Sequence, residues 1–427
     1  MSEAVDAQHI NSDREDKLPL LFLCHRIPYP PNKGDKIRSF HLLHHLSQHF
    51  DIHLATFVDD SADRPYISNV KKHCKSSLYV DLIPWQATLR SLKGLVTGEP
   101  LSIPYYTSIR MKTWVKATVA ENNIRHVIVY SSAMAQFIPQ GEFNFTRKII
   151  DFVDVDSDKW QQYAGQKPWP LSWLYKRESD KLLKLERTLS QQFDSGLFVS
   201  SAEADMFRAL SPETADKIGF YNNGVNIEYF DPERDCSNPY LDGVPTIVFT
   251  GAMDYWPNVD AVVWFVYQVL PHLLAESPQL QFYIVGGNPD KKVQRLSAEV
   301  GVVVTGRVED IRPYIQHALL AVAPIRVARG VQNKVLEAMA MEKPVLVSSK
   351  GLEGIDAVHG EQLLIADEVG EYISLVQQIL RGDFSTMGSK ARNYVAENFN
   401  WDENLPEVVF LLNQSAGQVS LQDEPLS

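Results

Sequence analysis

A chain of 427 residues exceeds what one hydrophobic core usually supports, so two domains are the default expectation. With 44% hydrophobic and 22% charged residues the composition is that of an ordinary globular protein, and a net charge of −12 argues against a general nucleic-acid binder, which would carry a basic field. Three cysteines without CxxC spacing fit neither a disulfide framework nor a zinc site and agree with a reducing cytosol.

Residues 1–17 are polar, lack an apolar h-region and read as a disordered tail. "LPLLFLCH" is then a continuous apolar run, as expected for a strand buried on both faces of a parallel sheet. A loop, "PYPPNKG", and a helix opened by Asp35 follow. "DIHLATFV", "SLYVDLI", "RHVIVYSS", "RKIIDFV" and "SGLFVS" are further strands, with helices over residues 108–122, 171–192 and 202–210 between several of them. This βα alternation predicts a doubly wound, Rossmann-like domain over residues 18–222.

Residues 223–244, rich in Asn, Pro, Asp and Gly, read as a linker. The alternation restarts with the strand "TIVFTG" and the helix "PNVDAVVWFVYQVLPHLLAE". "LQFYIVGG", "VGVVVTG", "LLAVAPI" and "KPVLVSS" supply four more buried strands, so residues 245–384 form a second Rossmann-like domain across a cleft from the first. Residues 385–412 are a helical segment expected to cross back to the first domain, and 413–427 a second disordered tail. The longest apolar run, "AVVWFVYQVL", is about half a membrane span, so the chain is expected to be soluble or peripheral.

Ligands of a doubly wound sheet bind at the carboxyl ends of its strands. In the second half three loops there carry glycine: "TGAMDYWPN" with Gly251, "VGGNPD" with Gly286, and "ARGVQNK" with Gly330. Glycine lets a phosphate approach backbone N–H groups, but at such turns it is also commonly structural. No GxGxxG or GxxxxGK[ST] element is present. Arg329 and Lys334 bring two cations to a predicted helix start, where a nucleoside diphosphate would find dipole, amides and positive charge together. Glu337 shares a face with Lys334 and could accept two hydrogen bonds from a ribose diol; the alternative is a solvated surface pair.

In the first half Gly34 lies at the turn between the first strand and the first helix, with Lys36 and Arg38 on the first helical turn, either solvated or facing a leaving diphosphate. His25 ends the first strand, where it could contact a sugar hydroxyl or be structural. Asp154-Val155-Asp156 forms a DxD triplet, which in other folds chelates a metal; the second Rossmann half argues against that use, and no metal is expected. Asp151 and Asp154 are instead candidate carboxylates on the acceptor side. His41, His45 and His49 share a helix face without a carboxylate or cysteine beside them and read as a solvated face. Basic residues mixed with tryptophan in residues 85–120 and 166–177 fit either membrane attachment or ordinary buried aromatics.

"RGVQNKVLEAMAMEKPVLVSS", "YNNGVNIEYFDP" and "FTGAMDYWPNVDAVVWF" resemble GT-B glycosyltransferases of family 4. "HRIPYPPNKGDKIRSFHLL" and "DFVDVDSDKWQQYA" resemble a narrower group, the sugar transferases associated with exosortase/PEP-CTERM exopolysaccharide clusters. The likeness spans residues 18–399. It implies a retaining, metal-independent transferase that uses a nucleotide-sugar donor, no cofactor, and a glycan or lipid-linked acceptor. The implied location is the cytoplasm, with peripheral contact at the inner membrane left open.

By that resemblance Glu337 matches the second glutamate of the family's E-x7-E element, which holds the donor ribose. Arg329 stands where the first glutamate usually is, and the basic pair the family places in the "GAMDYWPN" loop is missing. Lys334 and Arg329 are therefore expected to face the diphosphate instead, with Asp154, Lys334 and Glu337 the candidate catalytic residues. Two rivals stay open: a nucleotide-sugar epimerase on the same fold, and a non-catalytic GT-B subunit that binds nucleotide without turnover.

Overall fold

Each run read above as a strand becomes one in this computed structural model, which describes residues 17–414 apart from 32, 33, 140, 328, 329 and the side chain of Gln166. The chain divides into two units: one runs to Gly196 and takes in the chain from Val408 on, the other is Leu197–Glu407.

The first sheet contains β1 (Leu18–Cys24), β2 (Phe50–Val58), β3 (Ser76–Asp81), β4 (His126–Tyr130), β5 (Arg147–Val153), β6 (Ser195–Phe198) and β7 (Ile218–Phe220), ordered β3-β2-β1-β4-β5-β6-β7. β1 is parallel to both neighbours, with Phe22 opposite Leu54 on one side and Ile128 on the other. Covered on both faces, its residues Leu20 to Cys24 are fully buried, which is why the run carries no polar alternation. The direction of winding reverses between β1 and β4.

The second sheet contains β8 (Thr246–Thr250), β9 (Gln281–Val285), β10 (Val302–Gly306), β11 (Leu320–Ala323), β12 (Val345–Val347) and β13 (Leu364–Ile365), ordered β10-β9-β8-β11-β12-β13 with parallel pairing. Its winding reverses between β8 and β11, the place where such sheets accept ligands. β13 is only two residues long, too short to stand out as a hydrophobic run.

Three features differ from expectation. The helix predicted over 257–276 is interrupted by a π turn at Phe265–Val269, where the Leu270 amide reaches back to the Phe265 carbonyl. Pro271 explains it, because its ring cannot donate and crowds the carbonyl one turn earlier. Residues 223–244 pack onto the second unit: Phe230 and Tyr240 are buried in its core, and the Tyr240 hydroxyl donates to the Tyr314 carbonyl at 2.6 Å. Helix Met387–Asn398 also stays with that unit, where Arg392 donates to the Phe230 and Ala340 carbonyls. Only the chain from Val408 on belongs to the first, with the Arg147 guanidinium donating to Gln414 Oε1 at 3.0 Å.

Candidate functional site

At the carboxyl ends of β8 and β9 two loops are drawn together. The Gly251 amide donates to the Val285 carbonyl at 3.0 Å, and the Met253 amide to Gly287 at 3.0 Å. The approach is so close that a Cβ on Gly286 would lie 1.7 Å from the Gly251 carbonyl oxygen. A Cβ on Gly251 would meet Asn258 Nδ2 at 2.8 Å and Lys334 Cε at 3.2 Å. Both glycines are therefore needed by the protein's own packing, whatever else they approach.

Lys334 comes to this spot from helix Asn333–Ala340, which follows β11 across the switch point. Its Nζ donates to Asn258 Oδ1 and Gln332 Oε1, both at 3.2 Å, and stands 5.5 Å from the centre of the Phe249 ring. Burial pushes its pKa down to about 8, opposed by the charge of Glu337. Gly330, buried and at φ +68, precedes the helix. Gln332 provides no side-chain cap, though its carbonyl accepts from the Val335 amide at 2.8 Å, and among the described residues the buried Asn333 Oδ1 has no hydrogen-bond partner. Arg329, the other expected cation, lies outside the described residues.

Glu337 lies one turn further along the same helix. Burial raises its carboxyl to about 7, and the Lys334 charge works against that rise. Among the described residues the carboxylate has neither an ion pair nor a hydrogen bond, so its acceptor capacity is unused. It is near enough to Tyr229 to add to the upward shift of that phenol, which comes first from burial and then from Asp310. The Arg312 guanidinium stacks 3.9 Å from the Tyr229 ring centre and grips Asp310 through Nε and Nη2. Asn258 and Tyr229 had no signal in sequence spacing, because each comes to Lys334 or Glu337 from a remote segment, and Arg312 joins only through Tyr229.

In the first unit the expectations for Lys36, Arg38 and Asp151 need correction. Lys36 is neither solvated nor open to a ligand: it is buried in an ion pair with Asp63. Arg38 and Asp151 are fully buried and paired, Nε to Oδ2 at 3.0 Å, and Asp151 Oδ1 also accepts from the Val153 amide. Asp151 is thus a structural carboxylate that cannot present itself to an acceptor. Asp154 remains accessible, 3.6 Å from Lys159 Nζ. It follows a γ-turn in which its amide donates to the Phe152 carbonyl, forcing Val153 to φ +71, a strained conformation for a β-branched residue.

His25 follows β1 and stacks on Tyr130 with ring centres 5.8 Å apart. Its Nε2 is 3.5 Å from Asp35 Oδ2, while Nδ1 is buried without a partner. Burial works to raise the Asp35 carboxyl, but His25 and Arg26 outweigh it and hold Asp35 well below the usual carboxylate range. Gly34 begins its helix with open space where a Cβ would be. Among the described residues no group of three or more His, Cys, Asp or Glu side chains could hold a metal ion. Of the helix-face histidines, His45 is buried, His41 half-buried and His49 exposed, so the face is solvated only in part; burial and then His44 lower the His41 pKa to about 4.

Residues 244–382 match the family model for glycosyl transferases group 1. The chain is similar in fold to sucrose-phosphate synthase from Thermosynechococcus elongatus, with 19% identity, TM-score 0.67, and coverage of 92% of this chain and 98% of that one. Anabaena Alr3699/HepE, solved with UDP and glucose, gives 15% identity, TM-score 0.63, and coverage of 92% and 98%. An uncharacterized 44.6 kDa protein in the cps region of Klebsiella pneumoniae is 21% identical over 238 residues, 50% of this chain; the match spans about half (55%) of that relative. The fold is therefore GT-B, with two doubly wound α/β units in one chain, and the residues that match the glycosyl transferases group 1 model lie in the second unit.

Proposed function

We propose that this protein is a glycosyltransferase whose second unit binds a nucleoside-diphosphate sugar. The observation that carries the reading is the reach of Lys334 from its uncapped helix start to Gly251 and Asn258. The "GAMDYWPN" loop has no cation of its own, and Lys334 supplies one from a different element. Leaving-group departure loads charge onto the diphosphate, and a fixed ammonium at the positive end of a helix would stabilise that charge more in the transition state than in the ground state. Glu337, with its acceptor capacity unused, would take the two hydroxyls of the ribose and position the donor.

The finer reading is a retaining, metal-independent transfer to a glycan or lipid-linked acceptor in bacterial exopolysaccharide assembly, by an enzyme working at the cytoplasmic face of the inner membrane. The cps-region relative and the UDP-bound fold neighbour support that direction. On the acceptor side, His25 with its unsatisfied Nδ1 and the accessible Asp154 are the candidates.

The test is a panel of nucleotide sugars assayed for acceptor-independent hydrolysis and for binding by calorimetry, with Lys334→Ala and Glu337→Ala beside the native chain. Hydrolysis of one donor, lost in both variants, is the expected result. Nucleotide binding without turnover of any donor would instead favour the non-catalytic subunit, a reading that Arg329 in place of the family's first glutamate keeps alive. Donor conversion without acceptor to an isomeric sugar would identify an epimerase.

A further inference from the structure

The helix pair Pro84–Ser91 and Lys93–Thr97 is amphipathic the wrong way round. Leu92 between them keeps helical angles, φ −59 and ψ −21, so the two run as one nearly continuous helix. Trp85, Leu89, Leu92 and Val96 fall at spacings of four, three and four, which puts them on one face. That face is the outer one: the four side chains are 64%, 58%, 50% and 91% exposed. The inner face carries the small residues Ala87, Ser91 and Gly94, all buried. An ordinary surface helix buries its large apolar side chains and exposes its small or polar ones.

A second element of the same unit adds to the patch. On helix Leu171–Gln192 the Arg177 guanidinium donates to the Gly94 and Glu99 carbonyls, and Glu178 accepts from the Leu101 amide at 2.7 Å. These bonds hold the start of that helix against the inverted one. Trp173 lies one turn before Arg177 and is 59% exposed, and Trp169, just ahead of the helix, is 81% exposed. Exposed Lys93, Lys167 and Lys176 lie on or beside these two elements close to the tryptophans, on a chain whose net charge is −12.

We propose that this tryptophan-tipped face docks onto an anionic lipid bilayer. The partner is argued from charge complementarity, with a basic rim on an acidic protein, and from indole side chains, which favour the boundary between headgroups and acyl chains. No described helix is long and apolar enough to cross a membrane, so the attachment is interfacial. The proposal deepens the lipid-linked side of the functional reading and rests on it for its purpose, but the observation that carries it is separate from the donor site.

The test is cosedimentation of the full chain with phosphatidylglycerol vesicles and with phosphatidylcholine vesicles, at low and raised salt. Two double variants accompany it, Trp85→Glu with Leu89→Glu, and Trp169→Glu with Trp173→Glu. The native chain is expected to bind phosphatidylglycerol vesicles preferentially and to release them as salt rises, and each variant to lose binding by about tenfold or more. Thermal unfolding midpoints are the control for folding, so failure of the donor-site reading leaves this result intact. Absence of binding to phosphatidylglycerol, or equal binding by the variants, overturns the proposal. So does a native dimer that Trp85→Glu dissociates, which would make the face a contact between copies of the chain.

Discussion

The Lys334 ammonium and the Asn258 side-chain carbonyl are 3.2 Å apart, and the Asn258 amide group donates to the Ala252 carbonyl at 2.9 Å. One buried asparagine thus ties a cation of one element to the glycine loop of another. Asn258→Ala frees the lysine to swing away and should weaken UDP binding by about tenfold, ~1.4 kcal/mol. Calorimetric titration reads this directly. An unchanged affinity would mean that Lys334 needs no such anchor.

The pH dependence of donor binding follows from the same pair. Glu337 must be ionised to accept from both ribose hydroxyls, and its pKa of about 7 means that this capacity is lost as pH falls below that value. Lys334 must be charged, and with a pKa of about 8 it loses its proton as pH rises further. Affinity for UDP-glucose should therefore peak in a narrow band between the two, the limbs belonging to the coupled pair. Glu337→Gln should flatten the acidic limb and Lys334→Arg the alkaline one. A profile that is flat from acid to alkaline pH would exclude both roles.

Gly286→Ala offers a test of the packing beneath the site. The added methyl would lie 1.7 Å from the Gly251 carbonyl oxygen, a distance no rotamer relieves, so the β8 and β9 loops must part. Destabilisation on the order of 3 kcal/mol is expected in denaturant titration, with loss of nucleotide binding. By contrast, Gly34→Ala places its methyl in open space and should leave stability within about 0.5 kcal/mol of native.

Asp151 and Arg38 form a buried pair, so Arg38→Ala leaves an uncompensated carboxylate in the core and should cost about 3–5 kcal/mol. Asp151→Asn combined with Arg38→Met should cost less than either disruption predicts, because no isolated charge remains. The double variant, if it folds, should keep donor hydrolysis, as befits a carboxylate that never meets substrate. Loss of turnover in a well-folded double variant would return Asp151 to the active site.

Strands β1, β4, β8 and β11 were legible because a strand covered on both faces must be apolar throughout, and turn residues bound these runs too closely for a helix. The helices over residues 84–97 were not, because their large apolar side chains point outward and their small ones inward, so the usual periodicity is inverted. The π turn was hidden for a different reason: Pro271 was visible, but a proline can break, kink or bulge a helix, and packing chooses among these.

Lys334 and Glu337 could be read from the sequence as a cation and a carboxylate on one helical turn, since local spacing fixes which side chains share a face. What the sequence left open was whether that pair was solvated, and whether Arg38 and Asp151 met a ligand or each other. These are questions of burial, settled only when segments remote in sequence close around a side chain and remove its water. Composition and periodicity determined two doubly wound sheets; tertiary packing decided which charges were buried against each other, and among the described residues left Glu337 without a hydrogen bond or ion pair.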